Sequence, residues 1–257
     1  MTAPALFNLA GKTALVTGSS GGLGLGMARG LADAGAAIVL NGRDEKKLAA
    51  AAKSFADAGL SVSARAFDVA DDVAVRKAFE RLDQEGVAID ILINNAGNQI
   101  RKPMLDLSTD EWRHVLDTHL TAAFQVGREA ARRMIARGNG GKIINIGSLA
   151  SEVARVTIAP YTAAKGGIKM LTRSMAAEWA RHNIQANAIG PGYIASDMTA
   201  PLMNDAKFDA WVKGRTPSGR WGQPDDLIGV TVFLASAASD YVNGQIVYVD
   251  GGLLAVI

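Results

Sequence analysis

The sequence predicts an α/β protein built on one parallel sheet of about seven strands, with helices on both faces. Three observations predict it. Short apolar runs alternate with segments of helical length along the chain. The runs are rich in Val, Ile and Leu with little polar alternation, as in strands covered on both sides. Glycines gather where the runs end, at the points where the chain must turn.

The elements follow in order. TALVTG, from Thr13 to Gly18, reads as a buried strand. SSGGLGLGMARGLADAG then turns into a helix with Leu23, Met27 and Leu31 on one face. AAIVLNGR is the second strand. DEKKLAAAAKSFADAG is an alanine-rich helix whose opening acids, Asp44 and Glu45, suit the positive helix end. LSVSARAFDV, DDVAVRKAFERLDQEG and IDILINNAG read as strand, helix and strand. STDEWRHVLDTHLTAAFQVGREAARRMIARG is predicted as one long helix, entered through a capping box at Ser108 and Glu111. GGKIINIGS is the fifth strand, PYTAAKGGIKMLTRSMAAEWARH a second long helix, and NIQANAIGPG the sixth strand. Residues of about 193–220 show no clear period and read as a lid over a substrate site. QPDDLIGVTVFLAS is the last helix and GQIVYVDGG the last strand. No linker or repeat interrupts this order, so residues 1–257 are read as one domain with right-handed crossovers.

Composition narrows the function. At 257 residues, 49% hydrophobic and 20% charged, the chain can bury a large core. A net charge of +2 gives no reason to expect nucleic acid or a membrane surface as partner. Cysteine is absent, which excludes disulfides and thiolate metal sites and agrees with a cytoplasmic setting. The opening MTAPALFNLAGK lacks a basic start and a long apolar run, so no signal peptide is expected. No metal is expected.

Several constellations can carry chemistry. Between the first strand and helix, Gly18, Ser20, Gly22, Leu23 and Gly24 form a glycine-rich turn. Such a turn lets the backbone approach a pyrophosphate at a helix N-terminus. Its spacing is G-x-x-x-G-x-G rather than the general G-x-G-x-x-G. At the end of the second strand, where an NAD site places an acid, stand Asn41 and then Arg43. An arginine pairs with a 2′-phosphate, which favours NADP(H) and leaves NAD(H) possible. Asp68-Val69, after the third strand, offers either an acceptor for the adenine amino group or a helix N-cap. Asn95, Ala96 and Gly97 follow the fourth strand, small enough to pass close to a cofactor. Pro191, Gly192, Ile194 and Ser196 follow the sixth and can hold a nicotinamide carboxamide.

The central stretch is GSLASEVARVTIAPYTAAK. Ser148 ends the fifth strand, and Tyr161 and Lys165 lie one turn apart on the next helix. Beside an ammonium and a cationic nicotinamide, the Tyr161 phenol is expected to ionise more readily than at its ordinary value of about 10. That suits a general acid or base.

Together these residues resemble the short-chain dehydrogenase/reductase family over essentially the whole chain. The shared pattern is Gly18/Gly22/Gly24, Asn94 to Gly97, Ser148, Tyr161 with Lys165, Pro191-Gly192, and the late Asp250-Gly251-Gly252. The resemblance implies a Rossmann-type, doubly wound fold, a homotetramer, and hydride transfer between nicotinamide and a carbonyl or carbinol carbon. It implies that Tyr161 exchanges the hydroxyl proton and Ser148 holds the substrate oxygen. It also implies that Lys165 binds the nicotinamide ribose and lowers the tyrosine pKa. One departure stands out: His119 occupies the place of the family's fourth catalytic residue, an asparagine that holds a relay water. A histidine there either holds that water or is a core residue satisfied by a carbonyl. Within the family, Ser151-Glu152 with Arg155, YTAAKGGIKMLT and TPSGRWGQPDDL are most similar to gluconate 5-dehydrogenases. GLGLGM and ASDYVNG are shared with 2-deoxy-gluconate 3-dehydrogenases. Both take sugar acids, so Arg101, Glu152 and Arg155 become candidate substrate residues, the arginines for a carboxylate. The alternatives are another polyol, ketone or 3-oxoacyl substrate, or a nucleotide sensor without catalysis. The retained Tyr161 and Lys165 argue against the sensor.

Overall fold

The computed structural model describes residues 2–256. Its sheet runs in the order β3-β2-β1-β4-β5-β6-β7, every neighbouring pair parallel. The strands are β1 (Thr13–Val16), β2 (Ala37–Gly42), β3 (Val62–Ala66), β4 (Ile91–Asn94), β5 (Gly141–Ile146), β6 (Ile184–Pro191) and β7 (Ile246–Val249). The helices are α1 (Ala3–Leu6), α2 (Gly22–Asp33), α3 (Glu45–Asp57), α4 (Asp72–Gln84), α5 (Thr109–Leu116), α6 (Ala122–Arg137), α7 (Ala159–Trp179), α8 (Ala200–Met203), α9 (Ala206–Arg215) and α10 (Ile228–Ala235). Strand order reverses between β1 and β4, the point at which open α/β sheets hold ligands beyond their carboxyl ends.

Side chains alternate along each strand and feed two cores. Ala14, Val16, Ile91 and Ile93 point to one face, against Met27 and Leu31 of α2, Phe55 of α3 and Leu234 of α10. Leu15, Leu92 and Ile143 point to the other, against Phe79 of α4, Val126 and Met134 of α6 and Met175 of α7. That both faces are covered explains why the strand sequences carry so few polar residues. No helix among the described residues is long and apolar enough to cross a membrane.

Local signals set the helix entries. Asp44 and Asp71 cap α3 and α4 by accepting from two backbone N–H groups each. Ser108 and Glu111 form the expected capping box. Asp71, not Asp68, is therefore the N-cap of α4; Asp68 makes a local turn by accepting from the Ala70 N–H at 2.9 Å. Three expectations need revision. The first long helix is interrupted by a π-turn, Asp117–Thr121, between α5 and α6. The segment 193–220, read from the sequence as irregular, carries two helices, α8 and α9. A short helix, α1, precedes β1.

Buried amides tie the sheet together near its ligand-binding edge. The Asn94 Nδ2 on β4 donates to Asn145 Oδ1 on β5 at 2.9 Å. Asn145 Nδ2 in turn donates to Thr172 Oγ1 on α7 at 2.9 Å. This chain of bonds fixes α7, and with it Tyr161 and Lys165, against the strand that delivers Ser148.

Candidate active site

A cleft of about 660 Å³ opens along the carboxyl edge of the sheet. It is lined by the glycine turn at one side, Arg43 and Asp68 at one end, and Ser148, Tyr161 and Lys165 at the other. Asn95, Ala96, Gly97, Pro191, Gly192, Ile194, Ser196 and Val69 also line it, so the structure gathers the residues singled out for a dinucleotide in one place.

The turn is shaped for close approach. Gly18 has φ +61°, and a Cβ there would lie 2.8 Å from Ala96 Cα. A Cβ on Gly24 would strike the Gly18 carbonyl and the Asn95 amide. Thr17 Oγ1 accepts from the backbone N–H of Asn95 and Ala96, and Asn95 Nδ2 donates to the carbonyls of Thr17 and Gly18. The N-terminus of α2 thus faces the cleft with its cradle held rigid.

The adenosine end differs in part from expectation. Asn41 is 1% exposed. Its Oδ1 accepts from Gly18 N–H at 3.3 Å, and its Nδ2 donates to the carbonyls of Arg65 and Phe67 at 3.2 and 3.1 Å. Asn41 lines the cleft, but its side chain also straps strand ends together with these three hydrogen bonds. Arg43 is free to bind: its side chain is 67% exposed, with one long contact of 3.4 Å to Asp68. Lys47, which the sequence reading passed over, lines the same end and supplies a second cation. Its four-residue spacing from Arg43 was the available signal.

At the reacting end, Lys165 is 4% exposed, and its Nζ donates to the Ile146 carbonyl at 2.6 Å. The same nitrogen lies 5.4 Å from the centroid of the Tyr161 ring. Burial pushes the Lys165 ammonium down to about 7. Burial also raises the Tyr161 phenol above its ordinary value, while hydrogen bonding with Ser148 and the charge of Arg101 act the other way. Among the chain's own groups, desolvation outweighs these two. Ser148 opens a short helical turn, Leu149–Ser151, and Ser151 Oγ donates to the Lys165 carbonyl at 2.8 Å. Ser151 is a further positioning residue that no spacing rule marked.

His119 stands in the π-turn, edge-on to Tyr161 with ring centroids 5.2 Å apart. Its Nε2 lies 2.8 Å from the Asn98 carbonyl and 3.1 Å from the Asn98 N–H. Its Nδ1 is buried without a hydrogen-bond partner. Burial, then the charge of Lys165, push it down to about 3, so the ring stays neutral at working pH. The imidazole braces the loop after β4 through Nε2 and also lines the cleft. A Cβ on Gly97 would strike its Cε1, which gives that glycine a reason of its own.

The substrate candidates divide. Glu152 does not line the cleft; its carboxylate accepts from Lys169 at 2.7 Å and from the Tyr248 hydroxyl at 2.6 Å. It supports the loop from outside, through a residue 96 positions away that no local pattern reveals. Like Glu152, Arg101 and Arg155 are outside the cleft lining; the Arg101 guanidinium lies within charge range of both Tyr161 and Arg155. Burial, then the charge of Arg155, hold the Arg101 guanidinium below its usual value. Arg101 donates to the Met198 carbonyl at 3.3 Å, and Arg155 stacks on Phe208 at 4.9 Å. Phe208 belongs to an aromatic cluster with Tyr193, Trp211 and Trp221, which packs the lid.

Comparison with known proteins agrees with this geometry. A family model described as enoyl-(acyl carrier protein) reductase, of the short-chain alcohol dehydrogenase type, matches residues 18–254. The gluconate 5-dehydrogenase of Gluconobacter oxydans is 49% identical, covering 98% of each chain. The 2-dehydro-3-deoxy-D-gluconate 5-dehydrogenase of Formosa agariphila is 46% identical, covering 98% of this chain and 96% of its own. The crystal structure of a gluconate 5-dehydrogenase from Burkholderia cenocepacia, in complex with NADP and tartrate, superposes with a TM-score of 0.97. It is 51% identical, and each chain is fully covered.

The buried lysine makes a testable demand on stability. Unfolded, Lys165 keeps its proton up to its ordinary value of 10.5; folded, it releases it near 7. Between these values the unfolded chain binds more protons, so folding stability gains from this group as pH rises. Urea unfolding at pH 7 and at about pH 9.5 should show a gain of up to about 3 kcal/mol in the wild type that Lys165→Met lacks. Identical pH slopes in the two proteins would remove the burial account.

Proposed function

The chain belongs to the short-chain dehydrogenase/reductase family, and from that premise we propose that it interconverts D-gluconate and 5-keto-D-gluconate with NADP(H). It is a nicotinamide-dependent oxidoreductase acting on CH–OH groups. The observation that carries the sugar-acid reading is the pair Arg101 and Arg155. Their guanidiniums lie within charge range of each other, Arg101 also of Tyr161, and neither has a carboxylate partner among the described residues. Two like charges so placed call for an anion, and a carboxylate matches a guanidinium in geometry. The relative from Burkholderia cenocepacia was crystallised with tartrate, itself a dicarboxylate.

The bound nicotinamide supplies or accepts the hydride. The chain does the rest. In reduction, the Tyr161 hydroxyl protonates the carbonyl oxygen as that oxygen gains charge; in oxidation, the proton returns. Ser148 hydrogen-bonds the same oxygen and orients it. Lys165, fixed by Ile146, stabilises the phenolate when the proton leaves as long as its own amine is charged, that is at or below about pH 7. The closing lid excludes water from the exchange. For NADP, Arg43 and Lys47 offer two cations to a 2′-phosphate where an NAD site has an acid.

A second sugar acid is favoured by the Formosa agariphila relative, which acts on 2-dehydro-3-deoxy-D-gluconate. The two substrates share a carboxylate and differ near it, so the same arginines serve both. A cytoplasmic homotetramer completes the reading. Phe124 on α6 and Met170 on α7 leave apolar surface exposed on the two long helices. A light-scattering mass of one chain would remove the tetramer.

The decisive experiment follows NADPH and NADH oxidation against a panel of keto-sugar acids that includes 5-keto-D-gluconate and 2-dehydro-3-deoxy-D-gluconate. Tyr161→Phe should lower kcat by a factor of about 10² or more and leave NADPH binding nearly unchanged. Retained turnover would refute the proton-transfer role. Arg43→Ala should weaken NADPH about tenfold while barely touching NADH. Equal loss for both cofactors would overturn the 2′-phosphate assignment.

A further inference from the structure

Thr157 has φ +69°, in the left-handed region. Asn183 is the other non-glycine residue there among the described residues, and it ends a helical turn, a place where asparagine is at ease. A β-branched threonine has no such excuse, and residues held in this way persist only where the surroundings over-determine them. The surroundings here are specific. The Thr157 carbonyl accepts from the Lys102 N–H at 2.9 Å, which joins the loop after β4 to the loop before α7. Lys102 is itself anchored, with Nζ on the Glu111 carboxylate at 3.0 Å, and Glu111 closes the capping box of α5. Arg101 precedes Lys102 by one residue, and Arg155 precedes Thr157 by two. This backbone bond therefore joins the two loops that carry two like-charged guanidiniums.

We propose that Thr157 is a positioning residue for substrate specificity. Its left-handed turn, tied to Lys102, holds Arg155 facing Arg101 so that the pair grips one carboxylate. This rests on the sugar-acid reading above. Without the tie, like charges would drive the two loops apart; with it, the repulsion is stored until an anion relieves it. The arrangement also pre-pays the ordering of two long side chains, which raises affinity for the anion rather than the rate of hydride transfer.

The test separates position from folding and from Tyr161, four residues downstream. Thr157→Pro forces φ to negative values while removing no backbone hydrogen bond, because only the carbonyl of Thr157 is used. It should raise KM for 5-keto-D-gluconate about tenfold or more, with kcat and the NADPH Kd within about twofold. Thr157→Asn, which tolerates the left-handed region, should keep the wild-type KM and raise Tm. In an Arg155→Ala background, Thr157→Pro should add little further loss, since the group it positions is gone. An unchanged KM in Thr157→Pro, an equal fall in kcat, or full additivity with Arg155→Ala would each overturn the assignment, even with the sugar-acid activity intact. A wild-type enzyme that reduces uncharged ketones and ignores keto acids would overturn the function and the clamp together.

Discussion

A charged nitrogen buried beneath a phenol is the constraint on which the rest of this site depends. Lys165 can occupy its place only because Ile146, the last residue of β5, turns a carbonyl toward it. That requires α7 to lie along β5 in one register, and the buried amides of Asn94 and Asn145 with Thr172 enforce it. The register then delivers Ser148 from the same strand to the same phenol. Desolvation lowers the lysine and raises the tyrosine, so the pair costs stability, and the fold must supply that cost from its two apolar faces. Tyr161 is ready to act as an acid in the protein as it stands; a negative charge on it needs a further positive group nearby.

Much of this was legible in the chain. Strands, glycine turn, caps and the Ser148–Tyr161–Lys165 spacing are written in local periodicity and in turn chemistry, which depend on neighbours a few residues apart. What was not legible depends on distant partners or on a break in period. The π-turn at Asp117–Thr121 inserts its extra residue without changing composition, so the long helix read as continuous. Glu152 looked like a substrate ligand until Tyr248 and Lys169 appeared beside it. Asn41 looked like a cofactor ligand because it stands where an acid usually does; only the fold shows that its three hydrogen bonds are already made. The lid helices did carry a cap at Asp205, yet their aromatic residues face one another rather than a stripe of core, so no helical period stood out.

The mouth of the cleft follows a different logic from its floor. The floor is rigid, made of strand ends and a braced loop in which the neutral His119 holds Asn98. Beyond it lie loops and the segment 193–220, whose contacts with Arg101 and Arg155 are a carbonyl and an aromatic face. These contacts carry no full charge.

The strap made by Asn41 limits how this protein can change its cofactor. Families that use the unphosphorylated nucleotide place a carboxylate at the end of the second strand. Here an aspartate at that position would keep the Gly18 contact but turn an anionic oxygen toward the Arg65 and Phe67 carbonyls, which now receive two N–H bonds. Acceptor would face acceptor in a buried setting. Any drift in nucleotide preference must therefore come from the exposed rim, at Arg43 and Lys47, which can be exchanged without disturbing the strands behind them.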